Sequence, residues 1–233
     1  MPLKAILFDK DGTLIDFDRT WGAAGYHVMR TMARGDEAAF QRLVEITHYD
    51  FERRTFLPTS HMIAGASGDF GVIWANALGR ADHAAVAYEI DTLFMKAAES
   101  ELVPIGDPLS LLKSLAEQGY ALGIATNDAE AAAFQQAEML GITPHLDFIV
   151  GHDSGHGRKP EPGMIDAFSR KTGHDPADIA LVGDSVFDLQ AARAAGAVAI
   201  AVLSGPATRD ALAPHADHVI DSISALPDLL RAL

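Results

Sequence analysis

Apolar and polar positions follow two different rules along this chain. After a short apolar run, Ala5, Ile6, Leu7 and Phe8, the pattern from Phe17 to Ala98 is helical. Between Phe17 and Ala33 the residues Trp21, Ala24, Val28 and Met32 recur every three or four positions, which places them on one stripe of a helix. Gly35 and Asp36 break it. A second helix is predicted from Glu37 to about Phe51, with Phe40, Leu43, Val44 and Ile46 inside. The segment from Arg53 to Gly71 is rich in Pro, Ser and Gly and reads as loops around one short helix. Helical patterns return at Val72 to Leu78 and from about Ala81 to Ala98, and the block shows almost no strand pattern.

From Pro104 onward, helical patterns alternate with short apolar runs. Pro108 to Gln118 reads as a helix closed by Gly119, and Tyr120 to Ala125 as a strand ending at Thr126 and Asn127. A helix from Ala129 to Leu140, a strand at Phe148 to Val150 and a polar loop, GHDSGHGRKPEPG, follow. Pro162 to Thr172 has Pro near its first turn and Gly173 just past its end, the usual helix asymmetry. Ile179 to Val182 is a strand leading into Gly183 and Asp184; a helix to Ala195, a strand at Val198 to Val202, another helix, a strand near His218 to Ile220 and a last helix from Ser222 complete the chain. Strand and helix in alternation specify a parallel sheet covered by helices on both faces, with right-handed crossovers. The expected fold is therefore α/β, a Rossmann-like parallel sheet with an inserted α-helical cap. Residues 1–16 and 102–233 form the core in this reading, and 17–101 the cap.

Composition narrows the functional classes. With 233 residues, 48% hydrophobic and 21% charged, the chain has the make-up of a globular protein with a core of good size. A net charge of -14 argues against a nucleic-acid partner, which would call for clustered Lys and Arg. It leaves room for a small anionic substrate, since a metal ion and a few placed cations reverse the field locally. No cysteine is present, so disulfides, thiolate metal sites and Cys nucleophiles are excluded. The first apolar run is cut by Asp9 before it could act as a signal peptide, and the run from Ala194 to Leu203 is too short to span a bilayer. The expectation is a soluble cytoplasmic protein, monomer or homodimer, without membrane or nucleic-acid partners.

Polar groups sit just after four of the predicted strands: Asp9 with Asp11, Thr126 with Asn127, the loop holding Lys159, and Asp184 with Asp188. Parallel strands line up their carboxyl ends along one edge, so groups far apart in sequence can converge there. Carboxylates suit a hard cation and can attack phosphorus; a Thr hydroxyl and a Lys ammonium suit phosphoryl oxygens. Each group also has a plain structural reading. Asp-Lys-Asp-Gly is a common turn composition, Thr126 and Asn127 could cap the helix from Asp128, Ser185 or Asp184 could cap the next one, and Lys159 could be a surface lysine.

In FDKDGTLID, IATND, GRKPEP and GDSVFDLQAARAAG, taken in order, the sequence resembles the haloacid dehalogenase superfamily, in its branch of capped, magnesium-dependent phosphatases. The resemblance implies Asp9 as a nucleophile forming an aspartyl-phosphate, and Asp11 as the acid and base for leaving group and water. It implies Thr126, Asn127 and Lys159 as binders of the phosphoryl group. Mg²⁺ would be held by Asp9, the Asp11 carbonyl and Asp184, with Asp188 acting through water or by orienting Lys159. An acid at position 11 is what a phosphate ester requires, since the departing alkoxide needs a proton. One departure is Phe17, with Asp18 and Arg19, where many relatives have Ser.

The implied activity is hydrolysis of a small phosphorylated metabolite, phosphoglycolate-like or a sugar phosphate. A phosphomutase of the same fold and a phospho-accepting signalling domain are the alternatives. The cap is expected to select the substrate, with His61, Ser67 and Asp69 as candidate contacts. His152 and His156 are four apart, but their Gly-rich loop lacks the helical pattern of a metal pair, so solvent exposure is the favoured reading.

Overall fold

An apolar run with no polar alternation must be covered on both faces, and Ala5, Ile6, Leu7 and Phe8 are all fully buried in the computed structural model of this protein. The structure describes residues 3–57, 59–63 and 67–233. The run forms β1 (Ala5–Phe8). The chain continues through α1 (Phe17–Ala33), α2 (Glu37–Ile46), β2 (Tyr49–Asp50), β3 (Thr55–Phe56), α3 (Ser67–Ala77) and α4 (His83–Glu101). Next come α5 (Pro108–Glu117), β4 (Ala121–Ala125), α6 (Glu130–Met139), β5 (Phe148–Val150) and α7 (Gly163–Thr172). The last stretch holds β6 (Ile179–Gly183), α8 (Val186–Ala195), β7 (Val198–Val202), α9 (Arg209–Leu212), β8 (His218–Ile220) and α10 (Leu226–Ala232).

Six strands form one parallel sheet in the order β5, β4, β1, β6, β7, β8. The order reverses at β1: the chain builds outward through β4 and β5 on one side, then returns to add β6, β7 and β8 on the other. Successive side chains of a strand point to opposite faces. Ala5 and Leu7 pack with Met164, Ile165 and Phe168 of α7 and Leu189 of α8, so Ile6 and Phe8 face the other side. On α5, which packs against β4, Leu112 and Leu115 are buried.

The contacts divide the chain into two units, 1–16 with 104–233, and 17–103. The second crossing lies two residues beyond the 101/102 position read from the sequence. Val103 is tied to the helical unit, its N–H donating to Thr20 Oγ1 at 3.0 Å. Pro104 instead bridges to Ile15, and the Ile105 N–H donates to the Leu14 carbonyl, both in the sheet unit.

The helical unit has its own core, in which Trp21, Ala24, Val28 and Met32 of α1 are buried with Phe40, Leu43, Trp74 and Ile90. Two of its elements differ from the sequence expectation. The helix predicted to reach Phe51 stops at Ile46, because Thr47 caps it and His48 takes a positive φ of 50°. A two-stranded antiparallel hairpin of β2 and β3 follows, its turn closed by Asp50 Oδ1, which accepts from the Glu52 and Arg53 N–H groups at 3.0 Å. Further on, α3 begins at Ser67 inside the predicted loop. Gly71 is not a breaker there: a Cβ on it would collide with Ala87 of α4, so the glycine serves close helix packing. Pro58 and residues 64–66 of that loop lie outside the described residues. Among the described residues no helix is long and apolar enough to cross a membrane.

Phe168 is fully buried beneath the sheet. Truncation there removes apolar contact and leaves a cavity, so Phe168→Ala is expected to lower unfolding free energy by about 3–5 kcal/mol in urea titration. A loss below about 1 kcal/mol would show that α7 does not pack as described.

Candidate active site

Phe8 of β1 pairs with Ile124 of β4 on one side and Val182 of β6 on the other. The residues just beyond these, Asp9, Thr126 and Asp184, therefore emerge along one edge at the place where strand order reverses. The register continues into the loops: the Asp9 N–H donates to the Val182 carbonyl at 2.8 Å, and the Thr126 N–H to the Val150 carbonyl at 3.1 Å.

Asp9, Asp184 and Asp188 each bring a carboxylate oxygen within 4.8 Å of the others, and all three side chains are buried. Lys159, 4% exposed, enters from the loop after β5. Its Nζ donates to Asp9 Oδ1 at 2.5 Å, Asp188 Oδ1 at 2.6 Å and the Ala125 carbonyl at 2.9 Å. The Asn127 carboxamide holds that loop in place, its Oδ1 accepting from the Lys159 N–H at 2.9 Å and its Nδ2 donating to the Lys159 carbonyl at 3.0 Å. Asn127, read as a substrate binder, thus has both amide atoms engaged on the backbone of Lys159.

Asp188 has a double role. Its Oδ2 accepts from the Ser185 N–H at 3.0 Å and the Ser185 hydroxyl at 2.5 Å, completing the capping box that starts α8. With Oδ1 on Lys159, both of its oxygens already accept hydrogen bonds. Ser185 thus caps α8 as one reading of the sequence had it, and Asp188 joins that cap to Lys159. Thr126, nearly fully buried, does not cap α6, whose N-cap is Ala129; its Oγ1 accepts from the Asp128 N–H at 3.1 Å.

Three carboxylates face one ammonium here. Burial is the main force pushing Asp9 up to about 7, with Asp188 and Asp11 adding to it and Lys159 opposing. Burial, then Asp9 and Asp188, push Asp184 well above the usual carboxylate range. Burial works against the charge of Lys159, but Asp188 and Asp9 outweigh it and its pKa is raised. The cluster is short of positive charge, and its all-oxygen donors suit a hard divalent cation. Two glycines make room around Asp184: Gly12, at φ 75°, and Gly205 both approach so closely that a Cβ on either would fall on the Asp184 carboxylate. Ser204 Oγ donates to the Gly12 carbonyl at 2.7 Å and ties these two loops together.

The carboxylate of Asp11 is outside that trio. It pairs with the ammonium of Lys10, which also lies 3.0 Å from Asp128 Oδ2. Burial opposes the charge of Lys10, but Asp11 and Asp128 overcome it and raise its pKa.

A family model described as haloacid dehalogenase-like hydrolase matches residues 3–196. The chain belongs to the haloacid dehalogenase-like hydrolases. A phosphoglycolate phosphatase of Chromobacterium violaceum is 39% identical over 127 residues, 54% of this chain and 55% of its own, so the chain spans about half the length of that relative. A phosphoglycolate phosphatase of Rhodospirillum rubrum is 30% identical over 239 residues, covering 97% of this chain and 90% of its own. Among solved structures, a haloacid dehalogenase family hydrolase from Deinococcus radiodurans with bound phosphate and sodium superposes with a TM-score of 0.66 at 21% identity, covering 99% and 96% of the two chains. That likeness speaks for the fold.

The remaining sequence candidates of this hydrolase fall in the helical unit and in the loop after β5. His61 belongs to the helical unit, its ring 6.0 Å from Phe70 and its Nε2 buried without a hydrogen-bond partner; burial lowers its pKa. Ser67 opens α3, and the side chains of Ser67 and Asp69 lie outside the described residues. His156 stacks on Phe148 at 6.4 Å, and neither it nor His152 joins a metal-ligating group among the described residues. Sequence reasoning missed Lys10, Asp128, Ser204 and Gly205. Lys10 carried a signal: the residue after a strand buried on both faces, and before an apolar Leu14 and Ile15, has little solvent available.

A proton held by Asp9 or Asp184 in the folded protein is one the unfolded chain would release above about pH 4, so these groups cost stability as pH rises through about 7. A bound cation displaces the protons and relieves the repulsion. The rise in Tm produced by Mg²⁺ is therefore expected to be larger at about pH 8 than at about pH 6 in differential scanning fluorimetry. A gain that shrinks with rising pH would contradict the site.

Proposed function

We propose that this hydrolase is a Mg²⁺-dependent phosphatase that removes the phosphoryl group from a small phosphorylated metabolite, through an aspartyl-phosphate on Asp9. The observation that carries the reading is the buried bridge of Lys159 between Asp9 and Asp188 beside Asp184, at the switch point of a parallel sheet. A surface lysine and turn aspartates would not be desolvated together in this way. The two phosphoglycolate phosphatase relatives support a small phosphomonoester substrate, phosphoglycolate-like, with a sugar phosphate the alternative.

Asp9 and Asp184, with the Asp11 main-chain carbonyl, would hold the Mg²⁺, and Asp188, whose oxygens accept from Lys159 and Ser185, would act beside it through water or by orienting Lys159. When bound, the ion supplies positive charge beside the phosphoryl oxygens. In the first step a carboxylate oxygen of Asp9 attacks phosphorus, the bond from phosphorus to the ester oxygen breaks, and protonated Asp11 gives its proton to that oxygen. In the second, water attacks the phosphorus of the aspartyl-phosphate, its proton passes to the Asp11 carboxylate, and the bond to Asp9 breaks to release inorganic phosphate. Lys159 favours the ionised form of Asp9 against burial and the approaching anion, and with the Thr126 hydroxyl it offers hydrogen bonds where charge accumulates.

Asp9→Asn is expected to keep the fold by circular dichroism and to lose phosphate release by at least about a thousandfold on a panel of phosphomonoesters with Mg²⁺. The wild type should lose it likewise on adding a chelator. Substantial turnover by the folded variant would remove Asp9 from its role. Feeding a hexose 1-phosphate with a bisphosphate primer tests the acceptor: free phosphate marks water, whereas the 6-phosphate would mark a mutase.

A further inference from the structure

Between the two aspartates of the first motif stands a side chain that the mechanism above does not use. Lys10 is 1% exposed, and burying an ammonium is costly unless it is paired. Its Nζ is shared between Asp11 Oδ2 and Asp128 Oδ2. Asp128 is itself fixed: its Oδ1 accepts from the Ala129 N–H at 2.7 Å, its carbonyl from the His152 N–H at 3.0 Å, and its N–H donates to Thr126 Oγ1 at 3.1 Å. The ammonium thus ties the Asp11 carboxylate to a turn that also carries the Thr126 hydroxyl. The backbone of the first motif does not need this tie. The Lys10 carbonyl accepts from the Leu14 N–H at 2.8 Å and the Ile15 N–H at 3.0 Å, and the Gly12 N–H donates to the Ile15 carbonyl at 2.7 Å.

We propose that Lys10 is a positioning residue for Asp11, holding the acid and base carboxylate against the turn after β4 so that its proton meets the leaving oxygen. The inference rests on the phosphatase reading and deepens it. General acid help matters when the leaving group is a poor one and hardly at all when it departs as a stable anion. A residue acting only through Asp11 therefore changes the ranking of substrates, whereas a residue that merely holds the fold changes all of them alike.

The test compares kcat/KM, which covers the steps up to departure of the leaving group, for an alkyl phosphate such as 2-phosphoglycolate and for p-nitrophenyl phosphate, both with Mg²⁺. Lys10→Met is expected to lower the alkyl value by about tenfold or more while the aryl value stays within about threefold. Asp11→Asn should show the same selectivity, and the double variant should be no worse than Asp11→Asn alone, because two residues acting through one proton transfer are not additive. Asp128→Ala, which removes the other end of the tie, should shift the ratio in the same direction, and it supplies the measurement if Lys10→Met does not fold. Equal losses on both esters, no loss on either, or additivity with Asp11→Asn would overturn the proposal. A wild type inactive on both esters would bring down the phosphatase reading and the inference with it; an active wild type with an unselective Lys10→Met would sink the inference alone.

Discussion

The ammonium of Lys159, desolvated and held between the carboxylates of Asp9 and Asp188, is the interaction on which the site depends. Removing it would leave three buried carboxylates facing one another, a charge that burial makes expensive and that Asp9 and Asp184 already register in their raised pKa values. Its presence is still not enough. Three negative groups against one positive leave a deficit in a pocket of oxygen donors, and the cheapest way to close such a deficit is a small divalent cation. The unfavourable electrostatics of the cluster and its suitability for a cation are one property seen from two sides.

The sheet makes this cluster possible because of where its strand order reverses. With β4 and β6 flanking β1, the residues one step beyond three adjacent strands become neighbours, and β5 supplies the loop from which Lys159 returns. Local devices then fix each group. Asn127 clamps the backbone at Lys159, the capping box of α8 fixes Asp188, and Gly12 and Gly205 let two loops close on Asp184. These devices fix both backbone and side-chain positions, which matters since a misplacement of about 1 Å is costly where groups must meet a reacting atom.

Much of the fold was legible in the sequence, for physical reasons that differ between elements. The apolar run of β1 and the stripe of Trp21, Ala24, Val28 and Met32 on α1 could be read because burial dictates their periodicity. The β2 and β3 hairpin could not, since Phe40, Leu43, Val44 and Ile46 continue a helical spacing toward Phe51, while the stop at Thr47 and His48 is set by backbone geometry. The start of α3 inside the stretch read as loop up to Gly71 could not be seen either, because the task of that glycine, close approach to Ala87, involves a residue on another helix. Asp9, Lys159, Asp184 and Asp188 could be expected to converge because they follow predicted strands whose carboxyl ends share one edge of a parallel sheet. That Asn127 serves the backbone of Lys159 depends on loop geometry that residue types do not carry.

Lys10 and Lys159 together show what burying charge does in this protein. Each is a buried lysine bridging two carboxylates from different segments of the chain. Lys159 joins the end of β1 to the start of α8, and Lys10 joins the turn after β1 to the turn after β4. Buried ion pairs contribute little net stability over apolar packing of the same volume, because desolvation consumes most of the Coulombic gain. Two of them in the segments that follow strands of one sheet are therefore poorly explained by folding free energy. They are better explained by direction: an ion pair fixes where a carboxylate points, which apolar packing around a short Asp side chain cannot do. On this argument, the strands bring the carboxylates to one edge and the lysines aim them, with Lys159 directed at Asp9 and Lys10 at Asp11.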